Sequence, residues 1–473
     1  MTIAINGIGL ATAQGSVSNI LSSDAPTVAA ELPWTPNRWN VSRVCFRAWD
    51  IDSSVSGAAR WQALAAKALS DVDISSETPL LVASCNGSVA ENWEQAFDTS
   101  TLLAGTPWAD ERLPVFSSSC ASGLHALYAA RQLLMSRAVD EVVVLAADIL
   151  AQSNHENFES LRVLAEKPCT PWQSTSSGFI LGEAAVVLRL VRATNEATIL
   201  HGPELGSDLI EHDGLTSVLE QISPEDAALI LGQGTGPFAN DSAELATLSQ
   251  FVDRKIPITT PLTHFGHTLG ASGLLAIALG ALMQQTGSII PALANLAGET
   301  TDGRTYCRGG HRGPLLQYVL TTCRALNGAC AATLAGGDVH TTNQRSKSAW
   351  RKSAMPGPLI NRTLKQLASE AIEQKPSDPP DILILRMEKP FSPPPSAIIG
   401  GRLLPSAVLE ITPGFASQLI ARCWGFGGPA LCLAGEVDFD PYGLTNAFRE
   451  SGLNVFQVNL RGSGDQRAIE WNV

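Results

Sequence analysis

A layered α/β fold is predicted by three features of the sequence. Strand-like and helix-like segments alternate, the strand-like ones are short apolar runs, and the helix-like ones carry apolar residues on one face. The run Glu141 to Asp148 (EVVVLAAD) is the plainest strand, with no charge inside it, as in central strands covered by helices on both faces.

Taken in order, Thr2 to Leu10 alternates into a glycine-punctuated strand and turn. Ala58 to Val72 is a helix with Trp61, Leu64, Ala65 and Leu69 on one side. Pro79 to Ser84 is a short buried strand running into the small residues Cys85 to Ser88, and residues 96–114, with Pro107 and Pro114, are loop. Val115 to Arg137 (VFSSSCASGLHALYAARQLLMSR) then gives the end of a strand, a tight serine bend, and Cys120 where a helix begins. Leu124, Leu127, Tyr128 and Leu134 form that helix's apolar face, and Ala121, Ser122 and Gly123 let another backbone or a ligand come close. A cysteine there feels unpaired N–H groups and a positive dipole end, which favour thiolate and make a nucleophile. The other account is a small buried cysteine packed under a helix, the commonest fate of a free Cys.

Phe179 to Leu190 is the next strand, and a second half begins near Ala193. Leu229 to Leu231 runs into Gly232-Gln233-Gly234-Thr235-Gly236, which lacks the Lys-Ser/Thr of a P-loop and the full pattern of a dinucleotide site. Ile256 to Thr260 is a strand, THFGHTLGASG follows, and Leu274 to Met283 is apolar all round, so it is a buried helix. Val319 to Thr322 and Ala329 to Leu334 form a closing pair around Asn327-Gly328. Thr341 to Pro358 is polar and basic, a linker. A new α/β pattern starts beyond it: helix Leu364 to Ala371, strand Asp381 to Arg386, a Pro-rich loop at 390–395, and helix 415–424 running into GFGGPALCLAGE.

A chain of 473 residues with 45% hydrophobic and 16% charged residues has room for two or three domains and a large core. Net charge of −13 argues against nucleic acid as the main partner, although Arg38, Arg43 and Arg47 crowd one segment. The nine cysteines show no paired spacing, so neither a disulfide framework nor a metal site is expected. The start lacks the basic region of a signal peptide, and no apolar run approaches the roughly 20 residues of a membrane span. The expected location is cytoplasmic.

Five blocks together resemble the β-ketoacyl synthases of the thiolase-like superfamily: IAINGIGLATAQG, SSSCASGLHAL, SSGFILGEAAVVL, GQGTGPFANDSAE and GHTLGASG. The resemblance implies a thiolase-like αβαβα fold of two similar halves, 1–192 and 193–340, each with a mixed five-stranded sheet, and dimerisation along a sheet edge. Beyond the linker at 341–358, residues 359–473 form a smaller α/β extension. Its run Ala416 to Leu433 resembles the segment before the active cysteine, with the cysteine slot near Val437. It is read either as a degenerate partial half or as an unrelated extension.

Carried over by residue, Cys120 is the acyl-accepting nucleophile and His267 the second histidine, acting on the extender carbonyl. Gln233 stands where the first histidine is expected; it can donate a hydrogen bond to an enolate oxygen but cannot shuttle a proton near neutral pH. Leu262 replaces the family's lysine, Ala276 its glutamate, and Leu326 the gate phenylalanine. Leu326, Gly328 and Thr235 are the implied substrate-binding or gating residues. No cofactor is implied. The expected activity is acyl transfer from an acyl carrier protein or acyl-CoA onto Cys120, in fatty-acid-like or polyketide-like biosynthesis, with the condensing step altered. The alternative is a non-condensing, chain-length-factor-like partner of a complete ketosynthase, in a homodimer or heterodimer.

Overall fold

The computed structural model describes residues 3–21, 29–36, 41–88, 95–167, 170–192, 198–209, 213–290, 293, 296, 298–307, 318–336, 350–353, 358–391, 398–399, 402–403, 405–463 and 467–472. Most of the expected linker, the half boundary at 193, Arg38 and most of the Pro-rich loop lie outside them.

The first half contains β1 (Ile3–Thr12), α1 (Val17–Leu21), the small pair β2 (Ala30–Glu31) and β3 (Val44–Cys45), and α2 (Gly57–Ser70). It continues through β4 (Leu80–Ala83), α3 (Thr99–Leu102), β5 (Val115–Phe116), α4 (Ser122–Met135), β6 (Glu141–Asp148), α5 (Gln152–Ser160) and β7 (Ala184–Arg192). The second half contains β8 (Thr198–Ser207), α6 (Asp213–Ile222), β9 (Leu229–Leu231), α7 (Phe238–Phe251), β10 (Ile258–Thr259), α8 (Leu262–Phe265), α9 (Ser272–Thr286), β11 (Tyr318–Arg324) and β12 (Ala329–Gly336). The main strands run β1-β7-β6-β4-β5 in one half and β8-β12-β11-β9-β10 in the other. Counted by position along each half, both orders read first, fifth, fourth, second, third. The two halves are therefore one topology used twice, although a short β1–β8 pairing at Ile3 to Ile5 joins them into one continuous sheet rather than two separate ones.

The helices α4 and α9 pack on each other between the two strand sets, while α2 covers the outer face of the first and α6 that of the second. Both inner helices are buried on nearly every side; α9 is apolar from Gly273 to Met283, whereas α4 also buries Ser122, His125, Arg131 and Gln132. Leu269–Thr286 is long and apolar enough by composition to cross a membrane, but most of it is buried inside this protein. A Cβ at Gly123 would lie 2.9 Å from Leu274 Cβ, so the small residues after Cys120 serve the approach of α4 to α9. The segment expected to be loop at 96–114 contains α3, whose Asp98 cap accepts from Ser100 N–H; four residues are too few to show a period.

The extension contains α10 (Arg362–Glu373), β13 (Ile382–Met387), β14 (Ile398–Ile399), β15 (Arg402–Leu403), α11 (Pro405–Glu410), α12 (Pro413–Trp424), β16 (Ala430–Ala434), α13 (Leu444–Glu450), β17 (Val455–Arg461) and β18 (Ala468–Asn472). Its strands add β16-β13-β17-β18 to the β5 end of the sheet. Strand β16 pairs antiparallel with β5, Leu433 opposite Phe116 and Ala434 opposite Val115. The edge expected to be left bare for dimerisation is thus occupied within the chain, so an unpaired β5 supplies no reason to dimerise.

Candidate active site

Cys120 sits two residues before α4, in the bend between β5 and the helix. Ser118 N–H bonds to Ser122 Oγ, Ser122 Oγ donates to Ser119 O, and Ser119 takes a left-handed φ of 52°, a strained conformation for a non-glycine residue. The bend turns the sulfur toward the second half of the molecule. There, Nε2 of His267 lies 3.1 Å from Cys120 Sγ, across 147 residues of sequence.

The blocks around Phe179 and His267 explain how His267 is held. Its backbone N–H donates to Ile180 O at 2.8 Å and its carbonyl accepts from Gly182 N–H at 3.1 Å, so the FILGE stretch clamps it as a strand would. The ring of Phe179 stacks on the imidazole, centroids 4.5 Å apart and planes 25° from parallel. Leu269 N–H donates to His267 Nδ1 at 3.3 Å. That bond leaves Nδ1 as acceptor and puts the ring proton on Nε2, facing the sulfur. Burial pushes His267 down to about 4, so it is a neutral imidazole donating toward Cys120, a stabiliser of thiolate rather than its base.

The helix-dipole expectation for Cys120 is overturned. Burial, and then the charge of Asp148, push the thiol up to about 12, against the pull of the Leu326 and Cys120 N–H groups that bond to the sulfur. Cys120 is only 2% exposed, and desolvation of a thiolate there outweighs the donors. Those two N–H groups and Nε2 all face the sulfur, so they are the donors at hand for the oxygen of a carbonyl brought against it.

Gln233 is poised differently from a histidine. Its Oε1 accepts Arg324 N–H at 2.8 Å, and its Nε2 is buried without a partner among the described residues. It lines a cavity with His267, Thr268, Pro261, Leu262, Leu275, Ala276 and Cys323. Leu262 and Ala276 make the walls apolar where the family pattern would place a lysine and a glutamate. The GQGTG turn itself is tied down by carboxylates: Glu244 accepts from Gln233 N–H at 2.8 Å and Gly234 N–H at 3.0 Å, and Asp241 from Gly236 N–H at 2.9 Å. Its N–H groups are spent on the protein, so it is no phosphate cradle.

Of the implied gating residues, Leu326 is half-buried against the cluster of Cys85, Phe158, Phe179 and Leu262 beside the thiol. Gly328 closes the β11–β12 turn and its carbonyl accepts Asp208 N–H at 2.7 Å. Thr235 is half-buried and is not among the residues lining the cavity.

One residue that supports this arrangement was not singled out in the sequence. Asp148, fully buried at the end of β6, accepts from Ser84 Oγ at 2.7 Å, Cys85 N–H at 2.8 Å, Asn86 N–H at 3.1 Å and Gly270 N–H at 2.7 Å. It joins the loop after β4 to the turn that follows His267. The available signal was a carboxylate closing an otherwise apolar buried strand.

A family model for the N-terminal domain of β-ketoacyl synthases matches residues 114–195, and one for the C-terminal domain matches residues 211–296. The chain is a relative of the β-ketoacyl synthases. Nodulation protein E of Rhizobium leguminosarum bv. trifolii is 28% identical over 216 residues, which are 39% of this chain and 52% of that protein. The tetracenomycin polyketide synthase ketoacyl synthase alpha subunit of Streptomyces glaucescens is 26% identical over 238 residues, 43% of this chain and 56% of that one. The chain thus spans about half the length of these curated relatives. Two solved structures share the thiolase-like fold. PfaC Keto synthase-Chain length factor gives a TM-score of 0.71 at 13% identity, covering 98% of this chain and 74% of its own. The ishigamide ketosynthase/chain length factor gives 0.59 at 18% identity, covering 72% and 99%. Against the pattern that the sequence resemblance implies, Cys120 and His267 match, and Gln233, Leu262, Ala276 and Leu326 depart.

Proposed function

We propose that the chain accepts an acyl group from a carrier thioester on Cys120, in polyketide-like or fatty-acid-like biosynthesis, and that its decarboxylative condensing step is attenuated. The observation that carries this is the 3.1 Å approach of Cys120 Sγ to an imidazole whose proton faces it. In the transfer, Cys120 sulfur attacks the thioester carbonyl carbon as its S–H proton is given up. The oxyanion takes the Leu326 and Cys120 N–H groups, the old C–S bond breaks, and the carrier leaves as a thiol with that proton. Gln233 and His267 would both face an extender carbonyl, each offering one neutral N–H donor. That is enough to hold an enolate oxygen but adds no positive charge.

A second function, that of a non-condensing partner, is favoured by the apolar Leu262 and Ala276 walls. Among the structures sharing this fold, one is titled as a ketosynthase with its chain length factor and another as an acyl-carrier protein in complex with its ketosynthase. A carrier protein and a synthase partner are proposed here by that likeness. The discriminating experiment is carbon dioxide release from a malonyl thioester. Wild type is expected to release it well below the order of 1 s⁻¹ usual for enzymes. Gln233→His should raise that rate in part, since one lost donor or acid is worth a factor of about 10²–10³. Ordinary synthase speed in the wild type would overturn the proposed attenuation.

A further inference from the structure

The extension repeats the pattern of the two halves. After α10, its alternation β13, α12, β16, α13, β17, β18 follows β4, α3, β5, α4, β6, β7, if the short β14, β15 and α11 of the extension and α5 of the first half, which has no counterpart between β17 and β18, are set aside. Its strand order β16-β13-β17-β18 reads third, second, fourth, fifth, the order of the other two copies without their first strand. The pairing with the first half is third strand against third strand, antiparallel, which a local two-fold axis produces. Helix α13 packs on α4, its counterpart, with Phe448 stacked on Tyr128 at 6.1 Å. Val437, buried between β16 and α13, takes the place that Cys120 holds between β5 and α4, so the third copy has no nucleophile. One solved structure of this fold covers 98% of the chain, which must include the extension, whereas others cover about 72%.

What the third copy touches is the nucleophile's support. A Cβ at Gly414, in the first turn of α12, would lie 2.5 Å from Ser117 O, 2.6 Å from Ser118 Cα and 3.0 Å from Asn327 Nδ2. Helix α12 therefore lies directly against the Cys120 bend and the β11–β12 turn together. At its other end, Arg422 Nη2 donates to Asn327 O at 3.0 Å and Nε to Asp208 O at 3.3 Å. Asn327 follows Leu326, whose N–H bonds to the Cys120 sulfur.

We propose that the third copy is a built-in partner: it closes the β5 edge against other chains and, through Gly414 and Arg422 of α12, positions the two loops that hold the Cys120 sulfur. Arg422 is a positioning residue, acting through the Asn327 carbonyl on the Leu326 N–H. The proposal deepens the Cys120 assignment, but its test needs no acyl donor, so it can fail or stand apart from acyl transfer.

The test uses the full chain. Val115→Cys/Ala434→Cys should oxidise to an intrachain disulfide, mapped by peptide mass in a species of monomer size. A disulfide between two chains, or none in a folded protein, overturns the edge assignment. Iodoacetamide labelling of Cys120 is then followed against pH. Arg422→Met should slow it about tenfold at fixed pH and move the profile about one unit alkaline, because a donor to the thiolate is misplaced. Arg422→Lys should recover part of the rate by keeping one donor to Asn327 O. A purely structural Arg422 would lower the melting temperature and leave the profile in place, which overturns the positioning role. Should Arg422→Met fail to fold, Gly414→Ala is read the same way: an unchanged Cys120 profile in the folded variant overturns the proposal, and a shift of about tenfold or more supports it.

Discussion

Replacing Asp148 by asparagine should change how stability depends on pH. The carboxyl is fully buried and accepts four hydrogen bonds, yet burial still pushes it up, from 3.8 to about 6. A group raised in the folded state gives its full stabilisation below the unfolded value and loses it as pH climbs through the folded one. From 3.8 to about 6 the loss is about 2.2 units at 1.36 kcal/mol each, or ~3 kcal/mol. Asparagine does not titrate, but it has one carbonyl for donors that reached two oxygens. An N–H left facing the amide nitrogen costs about 1–3 kcal/mol at every pH. Urea denaturation of both proteins from pH 4 to 7 should therefore show the variant less stable at pH 4. It should then gain about 2.4 kcal/mol on wild type by pH 7, since a small part of the loss has already occurred at pH 4. Parallel curves would refute the buried titration of Asp148. Since its charge also raises the Cys120 thiol, the variant should be alkylated at Cys120 faster near pH 8.

Phe179→Ala should remove the face on which His267 rests and, as a buried aromatic deletion, cost about 3–5 kcal/mol in thermal or urea unfolding. Acyl transfer to Cys120 should fall in rate with little change in half-saturating donor concentration, and a fall confined to donor binding would contradict the stacking role. Leu262→Lys places an unpaired charge in an apolar wall and should destabilise by about 3–5 kcal/mol, whereas adding Ala276→Glu in the same cavity should return part of that. Strictly additive effects would show that the two side chains do not meet.

The first and second halves were legible in the sequence because their strands are short apolar runs and, of their inner helices, α4 carries an apolar face and α9 is apolar all round. Leu229 to Leu231 and Glu141 to Asp148 have the expected bounds, and the Leu274 to Met283 helix extends to Ser272–Thr286. Cys120 was legible as a candidate nucleophile from its strand–bend–helix setting, His267 only through the resemblance; nothing in their spacing says that 147 residues close to 3.1 Å. The thiol's protonation was misread because a helix start is visible in sequence and its desolvation is not. Gln233 was legible as a substitution, but the fixing of its Oε1 by Arg324 N–H depends on a strand 91 residues away. Asp148 and the β5–β16 pairing were hidden for the same reason: their partners come from distant segments that only the folded sheet brings together.

The most direct test of the central claim is intact-mass spectrometry of the full chain after incubation with an acyl carrier thioester, followed by peptide mapping. One acyl group should be found on Cys120, retained in Cys330→Ala and lost in Cys120→Ala. Labelling that survives Cys120→Ala, or no acyl enzyme from any carrier or coenzyme A thioester, would contradict the acyl-accepting role.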